Sequence, residues 1–283
     1  MRIGFIDYYL DEWHANNYPK GLKEASGGKD EVTYAYAMID SPNGGLTTDE
    51  WCEKYGVTKC NTVEELVEKS DAVIVLSPDN FEYHETLAEC ALKSGKPCFV
   101  DKTFTPTKAA AKRMFELARK YNTPLFSTSS LRFASELEGI DSDDIAAVCI
   151  NGTAKGPNLG LDIYLIHLIE PVFVLMKECP KRLMMQTAAD RFFSLTMEYE
   201  NGRLAVANGY MNGAKYTFTI AHKSAEKTFE EIKSNFFAVL YKKLVEFFET
   251  GIPPVDSEDT ITIMAIREKA VEALKNPSTW IEI

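Results

Sequence analysis

The chain has 283 residues, 45% of them hydrophobic, and 31 basic against 42 acidic residues give it a net charge of −11. This length and apolar content can bury one large core or two moderate ones, and two domains are the expectation. The negative charge disfavours nucleic acid and anionic membranes as partners and favours a small, neutral or weakly charged substrate.

Motifs for targeting and for metal binding are not evident in the sequence. The opening MRIGFIDYYL lacks the long apolar run and the cleavage site of a signal peptide. No window reaches the roughly 18 apolar residues that a membrane helix needs, so we expect a soluble, cytoplasmic protein. The six cysteines form no CxxC pair and the four histidines are well separated, so we expect reduced thiols and no metal.

The first 128 residues alternate between short apolar strands and helices. Thr62 is a candidate N-cap with Glu65 as its capping-box partner, and Gly95 ends a later helix. This alternation predicts an α/β domain over residues 1–128 with a doubly wound, Rossmann-like parallel sheet. The predicted strands are 2–6, 32–39, 72–76, 97–100 and 124–127, and the predicted helices are 19–25, 62–69, 83–94 and 108–121.

The pattern changes after about residue 131 to short alternating strands separated by turn signals. Consecutive strands with tight turns favour an antiparallel sheet. We therefore predict a second, α+β domain over residues 129–283 with an open, mostly antiparallel sheet, whose last helix could pack back on the first domain. The predicted strands are 145–152, 182–187, 193–199, 203–210 and 216–222, and the predicted helices are 161–177, 229–249 and 257–274.

Lys102 stands just past the end of an apolar strand. Open parallel sheets bind small molecules outside the carboxyl ends of their strands, so the segments 77–80 and 101–103 should face one crevice. Lys102 is therefore the leading catalytic candidate. The alternative is that it is an ordinary solvated surface lysine.

The same stretch resembles the Gfo/Idh/MocA oxidoreductases. The corresponding family motif reads TPN, then HxxxAxxAlxxGKxV, then EKP. This chain has Ser77-Pro78-Asp79-Asn80, then His84, Ala88, Ala91 and Gly95-Lys96, then Asp101-Lys102-Thr103. The resemblance implies that Lys102 lies beside the nicotinamide and the reacting hydroxyl. It also implies that the segments 77–80 and 101–103 contact the cofactor. The cofactor-binding candidates from these segments are Ser77, Pro78, Asn80 and Asp101.

The glycine-rich turn of a dinucleotide-binding domain is missing after the first strand. The chain continues from Gly4 to Gly21 without a glycine, and Asp7, Asp11 and Glu12 place negative charge where phosphate would lie. Asp40 could accept hydrogen bonds from the ribose hydroxyls of NAD and would repel the extra phosphate of NADP. Equally, Asp40 could be a turn residue. The cofactor candidates thus include Asp7 and Asp40, and NAD is preferred to NADP.

The loop after the first strand, DYYLDEWHANNYP, is rich in aromatic and amide side chains. Trp13 and His14 could form a wall that stacks on a sugar or ring and hydrogen-bonds its edges. The alternative is that these side chains pack against the neighbouring domain.

A second group of candidates lies on the helix predicted at 161–177, which resembles the family's DxGxHxID. His167 matches the family's acid or base, but Asp162 is five residues before it, which is about 140° around a helix. Either the helix starts after Asp162 or this catalytic candidate has lost its role. Tyr164 shares a face with His167 and is a substitute donor. A core histidine is the alternative. Arg132 resembles a ligand-binding arginine of the family, or pairs with Glu136 or Glu138 on the surface.

Three functions follow as hypotheses. The first is an NAD-linked oxidoreductase that transfers a hydride from a sugar, polyol or related hydroxy compound, with Lys102 and His167 handling the hydroxyl proton. The second is a binding or regulatory protein that keeps the fold without the dinucleotide. The third is a non-redox sugar enzyme that recycles its NAD. The family resemblance also implies a homo-oligomer formed through the second sheet.

Overall fold

The computed structural model describes residues 1–42, 44–154, 163–189, 191–211 and 213–283. The chain divides into two compact units. Unit 1 contains Met1–Thr128 and Phe237–Thr260, and unit 2 contains Ser129–Phe236 and Ile261–Ile283. Each unit has its own sheet.

Unit 1 is built on a parallel sheet with strand order β3-β2-β1-β4-β5-β6. The strands are β1 (Arg2–Asp7), β2 (Glu31–Ala37), β3 (Thr58–Lys59), β4 (Ala72–Val75), β5 (Cys98–Val100) and β6 (Leu125–Phe126). The helices are α1 (Trp13–Ala25), α2 (Thr48–Tyr55), α3 (Val63–Lys69), α4 (His84–Leu92), α5 (Lys108–Lys120) and α7 (Phe236–Thr250), whose first residue lies in unit 2.

The strands of this sheet read as apolar runs because helices cover both faces of a doubly wound sheet. All four residues of β4 and all three of β5 are buried. Thr62 caps α3 as predicted, and its hydroxyl accepts a hydrogen bond from the Glu65 amide at 3.1 Å. The predicted capping box is not formed, because the Glu65 carboxylate accepts from the Asn61 amide and not from the Thr62 amide. The prediction of an α/β fold with a Rossmann-like parallel sheet is confirmed.

The segment 237–260 departs from the predicted domain limits, which assigned all of 129–283 to the second domain. Within unit 1, Phe247 packs edge-on against Phe126 of β6 at 4.8 Å between ring centroids, and Tyr241 packs against Tyr18 of α1 at 5.2 Å. The apolar face of α7 therefore completes the core of unit 1. Strand β12 (Lys227–Glu231) occupies the start of the helix predicted at 229–249.

Unit 2 contains a sheet of order β12-β11-β7-β10-β9-β8-β13, antiparallel except for the parallel pair β7 and β10. The prediction of an α+β unit with a mostly antiparallel sheet is confirmed, whereas its use in forming a homo-oligomer stays a prediction. Its other strands are β7 (Ile145–Ala154), β8 (Arg182–Ala188), β9 (Phe192–Glu198), β10 (Leu204–Met211), β11 (Thr217–His222) and β13 (Ile281–Glu282). Its helix α6 is Ile166–Met176, and α8 (Ser257–Lys275) belongs to unit 2 from Ile261 onward.

Helix α1 begins six residues before its predicted start at residue 19, because Glu12 caps its N-terminus and Pro19 lies inside the helix. Helix α2 was not predicted, although Thr47 and Glu50 form a reciprocal capping box at its start. Of the helices in the described residues, none combines the length and the apolar character needed to cross a membrane.

Candidate functional site

The carboxyl ends of β1, β4 and β5 bring several predicted site residues together in unit 1. Asp7 ends β1, and its Oδ1 accepts hydrogen bonds from the Ser77 hydroxyl at 2.9 Å and from the Tyr8 amide at 2.7 Å. Burial raises the pKa of Asp7 to about 8, against these hydrogen bonds. Its Oδ2 is buried and has no hydrogen-bond partner among the described residues. Ser77 has a left-handed backbone with φ of 64°.

Lys102 is buried, with 5% of its surface exposed, so the surface-lysine alternative is wrong. Its Nζ donates to the carbonyl oxygen of Pro78 at 3.4 Å, and its backbone amide donates to Asp101 Oδ1 at 2.8 Å. The peptide bond between Lys102 and Thr103 is cis. A buried ammonium beside the loop after β4 is a preorganised charge that can hold an oxygen atom of a ligand.

Asp101 carries a second, unexpected partner. The His14 imidazole contacts its carboxylate, and His14 also stacks on Tyr18 at 5.1 Å between ring centroids. Burial opposes ionisation of Asp101, but His14 and then Lys102 outweigh it and hold the pKa of that carboxyl below its ordinary value. Burial also lowers the pKa of His14. A neutral imidazole in contact with an ionised Asp101 carboxylate agrees with the lowered pKa values of both groups.

His84 connects the loops that carry Ser77 and Lys102. It is fully buried, with Nδ1 3.0 Å from the carbonyl oxygen of Phe104 and Nε2 in contact with that of Leu76. Each carbonyl lies next to a site loop, so His84 fixes their spacing. The family motif includes this histidine, but only the structure indicates that it holds the backbone of the two site loops in position.

The N-terminus of α1 is occupied by a side chain of the chain itself. The Glu12 carboxylate accepts from the His14 amide at 2.7 Å and contacts the Ala15 amide. Burial, reinforced by Asp7, raises the pKa of Glu12 well above its ordinary value. Sequence reasoning noticed Glu12 only as a negative charge, since glutamate is not among the usual N-cap residues.

The structure places the remaining candidates of unit 1 as follows. Asn80 is half-buried in the loop after β4. Asp40 is exposed, and its Oδ1 accepts from the amide and hydroxyl of Thr48 at 2.8 and 2.9 Å, which supports the turn interpretation. Trp13 is half exposed and packs on Phe237 at 4.7 Å.

Unit 2 groups His167 with Arg132 through Ser129 and Glu170. The Ser129 hydroxyl lies 2.8 Å from His167 Nδ1, and its amide donates to Glu170 at 2.6 Å. The Arg132 guanidinium donates to Glu170 at 3.4 Å, so its partner is neither Glu136 nor Glu138. Glu170 is 2% exposed and was missed by sequence reasoning.

Tyr164 packs edge-on against His167 at 5.0 Å between ring centroids, as the shared face predicted. The candidate Asp162 lies outside the described residues. The roles of His167, Tyr164 and Arg132 toward a ligand stay predictions. Within the described parts of the chain, no group of three or more acidic, histidine or cysteine side chains is placed to hold a metal ion.

A family model matches residues 33–129, and its description is an oxidoreductase family with an NAD-binding Rossmann fold. This match spans the loop after β4, His84 and Lys102. Residues 33–129 match the model of the Gfo/Idh/MocA oxidoreductase family. The predicted resemblance is confirmed over this segment. No curated protein matches the chain in sequence.

Solved structures share the fold over the whole chain. A probable dehydrogenase from Thermotoga maritima has a TM-score of 0.79 at 17% identity, covering 100% of this chain and 99% of its own. The scyllo-inositol dehydrogenase from Lactobacillus casei, solved with NAD(H) and scyllo-inositol, has 0.76 at 14%, covering 99% and 98%. The aldose-aldose oxidoreductase from Caulobacter crescentus has 0.74 at 14%, covering 100% of both chains.

The family match begins inside β2 and leaves out β1, the following turn and α1. This is the part of a dinucleotide-binding domain that holds the pyrophosphate on helix amides. In this chain the amides of His14 and Ala15 already bind Glu12. The residues between β1 and α1 therefore do not fit a dinucleotide pyrophosphate in this conformation.

Proposed function

We propose that this protein is an oxidoreductase that acts on a hydroxyl group of a small sugar, polyol or related hydroxy compound. The observation that carries the proposal is Lys102, a buried ammonium at the end of β5 inside the segment that matches the family. Two of the structural relatives named above are a scyllo-inositol dehydrogenase and an aldose-aldose oxidoreductase, which supports this substrate class.

Lys102 has the chemistry that the reaction requires of the protein. Oxidation of an alcohol removes a hydride from carbon and a proton from oxygen, so negative charge develops on that oxygen. A preorganised ammonium stabilises this charge more in the transition state than in the ground state. Lys102 would also polarise the carbonyl in the reverse direction, and His167 stays the candidate for the proton.

A nicotinamide dinucleotide, NAD before NADP, is the proposed hydride acceptor because the matched family has an NAD-binding Rossmann fold. Its pyrophosphate would have to displace Glu12 from α1. NAD is preferred because Asp40 would repel the extra phosphate of NADP. Thr48 already donates two hydrogen bonds to one carboxylate oxygen of Asp40.

The proposal is tested by Lys102→Met, which keeps the length of the side chain and removes its charge. Turnover of a panel of inositols, sugars and polyols would be followed by reduced nicotinamide with NAD or NADP. We expect the variant to lose roughly 100-fold or more in turnover. The matched control is Lys112→Met, which removes an exposed lysine from α5 and should leave the rate unchanged.

An unchanged rate in Lys102→Met would reject the role of the ammonium. A wild-type protein that turns over no member of the panel would favour the second candidate, a ligand-binding protein of the same fold that does not use a dinucleotide. The occupation of the α1 N-terminus by Glu12 is the observation that favours this candidate. Calorimetric titration with the same panel in the absence of nucleotide would then detect binding directly.

A further inference from the structure

The turn between β1 and α1 contains a carboxylate where a dinucleotide-binding domain presents free helix amides. Glu12 accepts from the amides of His14 and Ala15 at the first turn of the thirteen-residue helix α1. These amides and the helix dipole favour an anionic ligand, and in this chain the Glu12 carboxyl group already occupies the amides. A phosphate and the Glu12 carboxylate cannot occupy the same donors together.

The surroundings of Glu12 provide a second, independent observation. Asp7 is 1% exposed and lies close enough to act on Glu12 electrostatically, and its buried Oδ2 lacks a hydrogen-bond partner within the described ranges. Two buried acids are thus packed at the place where a pyrophosphate would bring negative charge. A bound pyrophosphate would further oppose the ionisation of both acids, whose pKa values burial already raises.

The backbone of the turn is held in place by side chains on the neighbouring elements. Asp11 accepts from the Leu46 amide at 2.9 Å and from the Asn16 side chain at 3.0 Å. The same Asn16 accepts from the ring nitrogen of the buried Trp51 at 2.8 Å. These contacts anchor the turn on either side of Glu12, so the movement that frees the amides with least disruption is rotation of the Glu12 side chain.

We propose that Glu12 is a built-in competitor for the pyrophosphate of a dinucleotide, so that a dinucleotide binds along α1 only when this side chain leaves the helix amides. The identity of the ligand rests on the proposed function. The competition itself rests on the contacts of Glu12.

The test compares dinucleotide affinity in Glu12→Ser, Glu12→Gln and the wild-type protein. Serine is a preferred N-cap that keeps α1 capped with a short, neutral side chain. Glutamine has the length of glutamate and cannot ionise. Binding would be measured by NADH fluorescence titration and by the rise in melting temperature with NAD. The matched control is Glu50→Gln, which removes one carboxylate from the N-terminus of α2 in the same unit.

We expect Glu12→Ser to bind NADH roughly tenfold or more tightly than the wild-type protein, because the donors are freed and one acid is removed. Glu12→Gln should gain less, since its amide oxygen still reaches the helix amides. Glu50→Gln should match the wild-type protein. Equal affinity in Glu12→Ser and the wild-type protein, whether both bind or neither binds, overturns the inference, as does weaker binding.

Circular dichroism would establish that each variant is folded. If Glu12→Ser does not fold, Glu12→Gln decides: tighter NADH binding than in the wild-type protein supports the inference, and unchanged binding overturns it. Failure of the proposed function has a different signature. It would leave the affinity difference between Glu12→Ser and the wild-type protein intact while Lys102→Met made no difference to turnover.

Discussion

The imidazole of His14, at the start of α1, contacts the carboxylate of Asp101, which follows β5 and precedes Lys102. Both side chains are buried, with 9% and 1% of their surfaces exposed. The contact joins the turn after the first strand to the loop that carries the candidate catalytic lysine. It also fixes Asp101, whose Oδ1 accepts the Lys102 backbone amide.

The two partners of this contact should differ in their effect on stability. His14→Ala leaves a buried carboxylate short of one partner, and we expect it to lower the free energy of unfolding by about 3 kcal/mol. Asp101→Asn keeps an oxygen for the Lys102 amide and leaves a neutral imidazole, so we expect a loss of about 1 kcal/mol. Urea denaturation at pH 7 measures both. A larger loss for Asp101→Asn would contradict the assignment of an ionised carboxylate.

Asp7 should make the stability of the protein depend on pH. Its pKa is about 8 in the folded protein against an ordinary value of 3.8. As the pH rises, Asp7 loses its proton in the unfolded chain before it does so in the folded protein. The contribution of Asp7 to the free energy of unfolding is therefore fully present below about pH 4 and is lost as the pH rises to about 8. Asp7→Asn keeps the acceptor for Tyr8 and Ser77 and removes the titration.

We expect the melting temperature of Asp7→Asn to exceed that of the wild-type protein at pH 8 by more than at pH 5. The comparison uses calorimetry in buffers of equal ionic strength. The difference between the two proteins is the relevant quantity, because other groups titrate equally in both. A difference that stays constant or shrinks with rising pH would contradict a raised pKa for Asp7.

His84 should matter for stability far more than a histidine that is only half-buried. His84→Ala removes a fully buried ring and both contacts to the carbonyl groups of Leu76 and Phe104, with an expected loss of about 3 kcal/mol. His222, half-buried on β11, serves as the control, and His222→Ala should lose less. Similar losses in the two variants by urea denaturation would argue against a bridging role for His84.

Arg132 and Glu170 should be coupled in unit 2. Arg132→Met leaves the carboxylate of Glu170 buried without its guanidinium partner, and we expect a loss of about 2 kcal/mol. Glu170→Gln still accepts from the Ser129 amide. The double variant should lose less than the sum of the single losses. Strict additivity in a double-mutant cycle would return Arg132 to its predicted role as a residue available for a ligand.

The alternation of strands and helices was predictable in unit 1 because local periodicity and end signals define it. The strand predicted at 72–76 and the helix predicted at 108–121 nearly coincide with β4 and α5. The start of α1 was missed because its cap is a glutamate, and the placement of α7 was missed because periodicity indicates an apolar face without indicating what covers it.

The candidate site was only partly predictable. Lys102 could be placed at the edge of the sheet because strand ends in a parallel sheet share one edge. The partners of that lysine could not be placed. His14 was a candidate for substrate binding, and its actual contact with Asp101 depends on how the start of α1 lies against the loop after β5.

By itself, the sequence determined the α/β architecture of unit 1 and the position of Lys102 after an apolar strand, since both depend on residues close together in the chain. Only the tertiary structure decided that Glu12 occupies the amides of α1, that His14 meets Asp101, and that Phe237–Thr260 completes unit 1. These contacts depend on the direction of individual side chains and on long-range packing, which hydrophobic periodicity does not specify.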